Sequence, residues 1–482
     1  MTHRIGIPSC MALRLTRRAM LPAIAVLLAG CMGPRPPVPE PVAPPTAWRV
    51  DPGPTVAIER EWWQTYGDPA LTALVTQALG QNDDIAIAIT RVRQADAQAR
   101  IARADLFPTL DFTASGTRAR AINAFGTAGT LNTGQLAFDA TYEVDLFGRI
   151  RDAVGAARNS LLASEAARDT AILSVSAAAA RGYITLRALD AQLDVVRQTL
   201  TSRADALRLA RDRARAGYTS QLEYEQARAE YESTAQAVPQ AELAVARQEN
   251  ALGVLVGHPD AATIARGLPL RALQQPPVPA GLPSELLRRR PDIAQAEYTL
   301  AATDASLSAA RKAYLPRIPL TASGGLVYVT GLVNPIRIWT LGGSVLAPLF
   351  EGGRIVAGAD AAAAQRDEAA YAYRRVALTA FREVNDNLAA VQKLGEQEAR
   401  LRDQRDALAA ALRHATNRYR AGYSPYLEQL DAQRQLFSAE LNLIQAHADR
   451  LNASVALYQA MGGGWQPARE PGATLQPAGA GQ

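Results

Sequence analysis

The feature that most constrains this chain is an internal repeat that covers most of its 482 residues. Short motifs of the first half return in the second half, in the same order, at an offset that stays between 203 and 208 positions. Such regularity predicts two copies of one supersecondary unit. The matching segments include Asp84-Ile85-Ala86 with Asp292-Ile293-Ala294, Thr113-Ala114-Ser115-Gly116 with Thr321-Ala322-Ser323-Gly324, and Arg215-Ala216-Gly217-Tyr218 with Arg420-Ala421-Gly422-Tyr423.

Alternating apolar and polar residues predict two strands in each copy. In the segment from Gln135 to Leu146, for example, Leu136 and Phe138 lie on one side and Asp139 on the other. Segments of about ten residues with one apolar and one polar face are typical of membrane β-barrels. A half-buried strand of a soluble sheet is the alternative interpretation. The strands are predicted at about 109–117, 135–146, 317–329 and 336–349.

Two unusually long helices are predicted, one in each copy, at about 149–216 and 353–421, because neither segment contains proline. Each would be about 100 Å long at 1.5 Å per residue. Shorter helices are predicted at about 220–256 and 424–461. Alanine and leucine recur between charged residues, which favours coiled-coil packing. No apolar run of about 18 residues follows the N-terminal segment, so no membrane-spanning helix is predicted.

The long helices are predicted to end in tight turns. Gly217 and Gly422 each follow a long helix, at the position where a left-handed conformation favours glycine. Ser220 with Glu223 predicts a capping box for the next helix. In the second copy, Ser424 is expected to cap the helix that follows. Each copy therefore ends in a helical hairpin.

The N-terminus has the features of a bacterial lipoprotein signal. Arginines precede an apolar run from Ala19 to Leu28, and small residues lead to Cys31. Residues 1–30 are therefore predicted to be a signal peptide, starting at Met1 or Met11, and Cys31 the site of lipid attachment. An ordinary signal peptide with an incidental cysteine is the alternative. The proline-rich residues 31–60 are then an extended, lipid-anchored tether.

The remaining boundaries follow from the repeat. The first copy covers 61–268, a proline-rich linker covers 269–283, the second copy covers 284–464, and a tail covers 465–482.

Composition excludes several other functions. Four arginines of the N-terminal segment supply most of the net charge of +5, so the rest has no concentrated basic face for nucleic acid. Cys10 and Cys31 are the only cysteines, and the four histidines are scattered. No phosphate loop, H-E-x-x-H motif or nucleophile set is present. We therefore expect no enzyme activity, no metal and no cofactor other than the covalent lipid.

Together, seven short motifs resemble the TolC/OprM outer membrane factors, in particular the NodT-type efflux lipoproteins of RND systems. Any one of these motifs alone would be a weak signal. They cover nearly the whole chain after the tether, in the family's order. The motifs are Trp62-Trp63-Gln64-Thr65-Tyr66-Gly67-Asp68-Pro69, Asp145-Leu146-Phe147-Gly148-Arg149, Arg288-Arg289-Arg290-Pro291-Asp292, Ala380-Phe381-Arg382-Glu383-Val384, Arg418-Tyr419-Arg420-Ala421-Gly422, Leu430-Asp431-Ala432-Gln433-Arg434 and Gly462-Gly463-Gly464-Trp465.

The resemblance implies a mixed α and β fold and a homotrimer. Four strands per chain would make a twelve-stranded transmembrane β-barrel in the outer membrane. It would be continuous with a long α-helical coiled-coil tunnel through the periplasm. The partners would be a periplasmic adaptor (a membrane fusion protein) and an inner-membrane pump of the RND type. The channel itself would be a passive exit duct for drugs or other small solutes that the pump and adaptor deliver.

The resemblance also implies a gate at the periplasmic tip. Asp431 matches the family's constricting aspartate, and Leu427 lies one turn before it. Tyr419 and Arg418 match positions that tie the gate helices together; at Ser424 some members carry an aspartate that pairs with this arginine. A solvated coiled-coil carboxylate is the alternative for Asp431. Gly217 and Gly422 match positions where adaptor hairpins dock, and a purely capping role is the alternative there.

Two other functions remain open at this stage. The first is an exit duct for type I protein or peptide secretion, since the same kind of duct can serve either pump class. The second is a structural coiled-coil lipoprotein between membrane and cell wall. Strands with a polar face argue against the second alternative, because a spacer needs no lumen.

Overall fold

A computed structural model gives the fold of most of the chain. The predicted signal peptide, Cys31 and most of the tether and tail lie outside the described residues. Two compact units are formed: Gln98–Arg158 with Leu300–Ala370, and Pro41–Ala97 with Asn159–Thr299 and Tyr371–Gln482. The residues described are 42–51, 57–122, 126–258, 264–278, 281–330 and 332–466.

Across these ranges the chain forms eight α-helices and four strands. The helices are α1 (Pro69–Gln81), α2 (Asp83–Ala104), α3 (Arg149–Arg215), α4 (Gln221–Leu255), α5 (Pro283–Arg289), α6 (Pro291–Lys312), α7 (Arg354–Arg420) and α8 (Tyr426–Ala460). The strands are β1 (Thr109–Ile122), β2 (Ala128–Glu143), β3 (Pro319–Val329) and β4 (Ile336–Gly343).

The first unit contains a four-stranded antiparallel sheet in the order β1-β2-β3-β4. The register places Phe112 opposite Phe138, Phe138 opposite Gly324 and Gly324 opposite Trp339. Directly opposed residues share a face, so this row is apolar from one edge strand to the other. The neighbouring row, from Asp111 across to Thr340, is polar and lies on the opposite face.

Both faces of this sheet are exposed in the single chain. Phe112, Trp339 and Leu341 expose 60, 78 and 76% of their surfaces. An apolar surface of this extent is a site of contact with a partner or a membrane. The sheet therefore has one face suited to an apolar environment and one suited to water.

The strands differ from the sequence prediction mainly at their ends. β1 continues to Ile122 and β2 begins at Ala128, because residues 128–134 pair with the end of β1 although their small and polar side chains do not alternate. β2 ends at Glu143 rather than 146, since the Asp145 carboxylate instead accepts hydrogen bonds from the N–H groups of Ile150 and Arg151 at the start of α3.

In the second strand pair, one strand starts later and the other ends earlier than predicted. β3 begins at Pro319, and Arg317 forms only an isolated bridge with Leu346. β4 ends at Gly343 rather than 349, because its partner strand β3 provides no ladder beyond Leu320 and Pro348 has no N–H to donate.

The helices have matching lengths in the two halves of the chain. α2 and α6 have 22 residues each, α3 and α7 have 67 each, and α4 and α8 have 35 each. One difference is Pro239, which lies inside α4. Within the described ranges, no helix combines the length and apolar composition needed to cross a bilayer.

The core of the second unit is organised around a buried aspartate that the sequence analysis did not single out. Asp68 caps α1 through the Ala70 N–H, at 2.8 Å. Its other carboxylate oxygen accepts from the Tyr183 hydroxyl at 2.8 Å and from the Leu268 N–H at 3.0 Å. Burial raises the pKa of Tyr183 to about 12, so this hydroxyl keeps its proton as a donor. One carboxylate therefore joins α1, α3 and the segment after α4.

Hairpin tips and the candidate gate

Gly217 and Gly422 end the two long helices in the conformation that the sequence predicts. Their φ angles are +75° and +77°. The next residue of each turn closes the helix, with Tyr218 N–H donating to the Arg213 carbonyl and Tyr423 N–H to the Arg418 carbonyl, both at 2.9 Å. A Cβ atom added at either glycine would meet no atom within 4 Å, so there is open space directly beside both glycines.

Large side chains are exposed at these tips. Tyr218 and Tyr423, which follow the two glycines, expose 86 and 81% of their surfaces, and Leu222 is also exposed. Exposed aromatic side chains of this kind are enriched where proteins bind each other. The tips thus combine tight backbone turns with accessible apolar surface.

The observed N-terminal caps of α4 and α8 agree with the prediction for α4 only. Ser220 caps α4 by accepting from the Glu223 N–H, while the Glu223 carboxylate accepts from the Thr219 hydroxyl. The expected cap by Ser424 is wrong. Pro425 occupies the cap position of α8, and the Ser424 hydroxyl has no partner among the described residues, because the helix begins one residue later than a serine cap requires.

Asp431 and Leu427 lie one turn apart on α8, and both are exposed in the single chain. The Gln435 amide donates to the Asp431 carboxylate at 2.6 Å. Asp431 is in none of the ion pairs found among the described residues, although the charge of Arg434, three positions further along α8, interacts with it.

Tyr419 is buried, and it packs against Tyr426 at the start of α8 with 5.5 Å between the ring centroids. The Arg213 guanidinium of α3 lies 4.8 Å from the Tyr419 ring centroid, in cation–π geometry. Burial raises the pKa of both tyrosines, that of Tyr426 to about 12. Tyr419 therefore connects the end of α7 with α8 and with the first hairpin.

Arg418 forms an ion pair with Glu428 of α8, with 3.4 Å between the guanidinium and the carboxylate. Serine at 424 cannot supply a carboxylate to Arg418, and Glu428 supplies one across the same turn. Both side chains are substantially exposed, so the pair contributes at most about 1 kcal/mol.

The sequence analysis did not predict a buried ion pair that lies near the hairpin tips. Arg203 of α3 and Glu230 of α4 form an ion pair at 2.8 Å, with only 6 and 9% of their side chains exposed. Arg434 of α8 also donates to Glu230, at 2.8 Å, and Arg203 lies 5.6 Å from the Phe437 ring centroid. The only sequence signal was a charged residue at a coiled-coil position, which is usually solvated.

The electrostatics of this Arg203–Glu230–Arg434 cluster follow from burial. Burial lowers the pKa of Arg203, and the Glu230 charge opposes that shift. The hydrogen bond from Arg434 to Glu230 raises the pKa of Arg434. One carboxylate thus links the first hairpin to the helix that carries Asp431, one turn from Arg434.

The described part of the chain contains no group of three or more His, Cys, Asp or Glu residues arranged to hold a metal ion.

Comparison with known proteins identifies the family. The profile of the outer membrane efflux protein family matches residues 74–258 and 282–463. The toluene efflux pump outer membrane protein TtgC of Pseudomonas putida is 37% identical over 416 residues, covering 85% of this chain and 86% of TtgC. The pyoverdine export outer membrane protein OpmQ of Pseudomonas aeruginosa is 35% identical, covering 92% of this chain and 97% of OpmQ. The chain belongs to the outer membrane efflux protein family.

A solved structure supports the same assignment. The open state of the MtrE outer membrane channel of Neisseria gonorrhoeae has a TM-score of 0.79 and 30% identity, and the match covers 89% of this chain and 99% of the MtrE chain. An outer membrane efflux protein is an exit channel in the outer membrane and not an enzyme. The predicted family, efflux function and location are thereby confirmed, as is a mixed fold with four strands per chain. The roles of Asp431, Leu427, Tyr419, Arg418, Gly217 and Gly422 stay predictions.

The buried cluster gives a prediction about the stability of the hairpins. We expect Glu230→Gln to lower the free energy of unfolding by about 3 kcal/mol, because Arg203 would keep a buried charge without its partner. Thermal unfolding of the purified protein in detergent, followed by circular dichroism, measures the change. Glu232→Gln alters an exposed carboxylate of the same helix and serves as the control. Equal melting temperatures for the two variants would contradict this role of Glu230.

Proposed function

We propose that this chain is the passive exit duct of a tripartite efflux system, through which small solutes leave after an inner-membrane pump and a periplasmic adaptor deliver them. The observation that carries the proposal is the two-faced, open sheet of four strands in the first unit. Its apolar face suits lipid and its polar face suits a water-filled lumen. The relatives that export toluene and pyoverdine support a small-solute cargo.

Assembly with further copies follows from the unpaired edges of the sheet, and the family resemblance supports a homotrimer. Within the described residues, no strand pairs with the outer edge of β1 or β4, and a membrane tolerates no open sheet edge in contact with lipid. Transmembrane barrels start at about eight strands, so one chain cannot close alone. Three copies would supply a twelve-stranded barrel, and their long helices a coiled-coil periplasmic tunnel.

The two halves of each chain act as equivalent copies in this proposal. Equal helix lengths support it, as do two equivalent contacts at the far ends of α4 and α8. Asn82 Nδ2 donates to the Leu255 carbonyl at 2.9 Å, and Arg290 Nη1 donates to the Ala460 carbonyl at 3.0 Å. In the first half, the residue before α2 thus fixes the last turn of α4. In the second half, the residue before α6 fixes the last turn of α8. The boundaries 61–268 and 284–464 describe these copies.

The gate of the duct is assigned to Asp431 and Leu427 of three chains. Three carboxylates brought close together repel one another and favour passage of cations. A closed ring therefore needs other contacts to hold it. Tyr419, the Arg418–Glu428 pair and the Arg203–Glu230–Arg434 cluster supply such contacts within each chain.

Removing the gate carboxylate gives a direct test of the transport function. We expect Asp431→Ala to raise single-channel conductance in planar bilayers and to reduce cation selectivity severalfold, because the ring of charge is lost. The control variant Asp403→Ala removes an exposed carboxylate from a different helix, α7, and is expected to behave like the unmodified protein. A protein that never conducts, even with Asp431→Ala, would instead favour the structural-lipoprotein alternative.

Adaptor docking is assigned to the tips around Gly217 and Gly422. The open space beside both glycines and the exposed Tyr218 and Tyr423 support a protein contact there. A photo-crosslinker at position 218 should capture the adaptor, whereas one at the exposed Ile101 should not.

The pump is proposed to be of the RND type. A duct for type I secretion remains the alternative, and recovery of a peptide-exporting ATPase with the crosslinked adaptor would favour it.

The covalent lipid is assigned to Cys31, whose position after Leu28-Ala29-Gly30 supports it. More than one acyl chain is needed for stable membrane anchoring. We expect cells fed an alkyne-tagged palmitate to label the unmodified protein and the Cys10→Ser variant equally, and Cys31→Ser not at all. Label that persists in Cys31→Ser would refute the assignment.

A further inference from the structure

The charged residues of the four strands are divided by sign between the two faces of the sheet. The arginines lie on the apolar face, in register with Phe112 and Trp339: Arg118, Arg120 and Arg337. The carboxylates lie on the opposite, polar face: Asp111, Asp139 and Glu143. The apolar face is therefore positive wherever its strands are charged, although lipid tails offer no counter-charge.

The three arginines of the apolar face are not neutralised by the described residues of their unit. The side chains that form ion pairs there are other cations: Arg149, Arg151, Lys312, Arg354 and Arg366. Arg118, Arg120 and Arg337 are not among them, and all three are exposed. Their charges are thus available to a partner outside this part of the chain.

Two of these arginines stand together with neutral hydrogen-bond donors. Arg118 and Arg120 are two positions apart on β1, so they share a face at a spacing of about 7 Å. Asn132 and Thr130 of β2 lie directly opposite them, which brings each facing pair of Cβ atoms to about 5 Å. All four side chains are exposed and able to donate. These four residues are called the donor patch below.

The donor patch lies at the end of the sheet away from the helices. α2 leads into β1 at Thr109 and β2 leads towards α3 after Glu143, whereas the β1–β2 ladder closes with Ile122 opposite Ala128. The helical part of such a channel extends from the outer membrane into the periplasm. The donor patch is therefore on the side of the sheet that faces the cell exterior.

The depth of the donor patch matches the edge of the lipid-facing band. Leu110 is the first residue of β1 on the apolar face, and Arg118 and Arg120 follow eight and ten positions later. With about 3.3 Å per residue and a tilt of about 40°, they lie about 20 Å and about 25 Å further along the membrane normal. The apolar band of a membrane barrel is about 25 Å tall. Both arginines thus reach its outer rim, where lipid head groups begin.

Arg337 differs from the donor patch in its surroundings. It lies opposite Leu326, in a row that continues through Leu136 to Ala114 and holds no other polar side chain. A lone arginine of this kind can extend its long side chain along the apolar surface towards the boundary. It has no neighbouring donor with which to bind the same group, so it is not assigned to the patch.

We propose that the donor patch binds the phosphate groups of lipid A, the phosphorylated glycolipid of the outer leaflet of the outer membrane. A guanidinium group binds phosphate through paired N–H donors, and the Asn132 amide and Thr130 hydroxyl add neutral donors. No carboxylate of the strands shares this face, so none repels the phosphate. Because the face meets lipid only in the proposed barrel, the assignment rests on the proposed function.

Native mass spectrometry of the full-length protein in detergent tests the donor patch. The probes are lipid A with both phosphates, the same lipid A after enzymatic removal of its phosphates, and phosphatidylglycerol. Phosphorylated lipid A is expected to bind about tenfold more tightly than either of the other two, because two arginines contact its phosphates at the outer rim. Equal binding of phosphorylated and dephosphorylated lipid A, or of lipid A and phosphatidylglycerol, would overturn the proposal.

Variants assign the preference to these arginines. Arg118→Gln/Arg120→Gln is expected to bind phosphorylated and dephosphorylated lipid A equally. Arg91→Gln/Arg93→Gln removes the same number of charges from exposed positions of α2 and should keep the full preference. Retention of the preference in the strand variant, or its loss in the helix variant, would contradict the assignment.

Ion conductance of the same preparations in planar bilayers separates this proposal from the proposed function. A protein that conducts but does not prefer phosphorylated lipid A contradicts the donor patch alone. A protein that shows the preference but never conducts contradicts the exit duct alone. Absence of both properties contradicts both.

Discussion

The structure depends on a sheet that is incomplete in a single chain. β1 to β4 pair in sequence order, but in the part of the chain that the structure describes the outer edges of β1 and β4 have no partner, and one face exposes Phe112 and Trp339. Free strand edges are not tolerated in lipid, and an apolar face of this extent is unfavourable in water. Closure with further copies would pair the edges and place the apolar face against lipid, and the proposed trimer rests on this argument together with the family resemblance.

The helical unit is held by a few buried polar residues rather than by apolar packing alone. Asp68 joins α1, α3 and the segment after α4. Glu230 joins the two hairpins near their tips. Glu398 and His447 join the second hairpin to the linker. Each is satisfied by named partners, so each fixes the relative positions of the helices it links within this unit.

The sequence predicted the elements better than the contacts between them. The long helices were recognisable because proline is absent from 149–216 and 353–421, and the tips because glycine marks a left-handed turn. The first seven residues of β2 could not be predicted, since small and polar residues there do not alternate. Asp68 stood in a recognised motif, but its partners Tyr183 and Leu268 are remote in sequence. Similarly, nothing in the sequence distinguished buried Glu230 from exposed Glu232.

The number of copies that close the sheet is the central claim, and native mass spectrometry of the detergent-solubilised protein measures it most directly. Four strands per chain are too few for one chain to close, since membrane barrels start at about eight strands, and the proposed homotrimer predicts a complex of three chains that survives gentle removal of detergent. A protein that remains a monomer under these conditions, or that stays in solution without detergent, would contradict the closed barrel and the transport role derived from it.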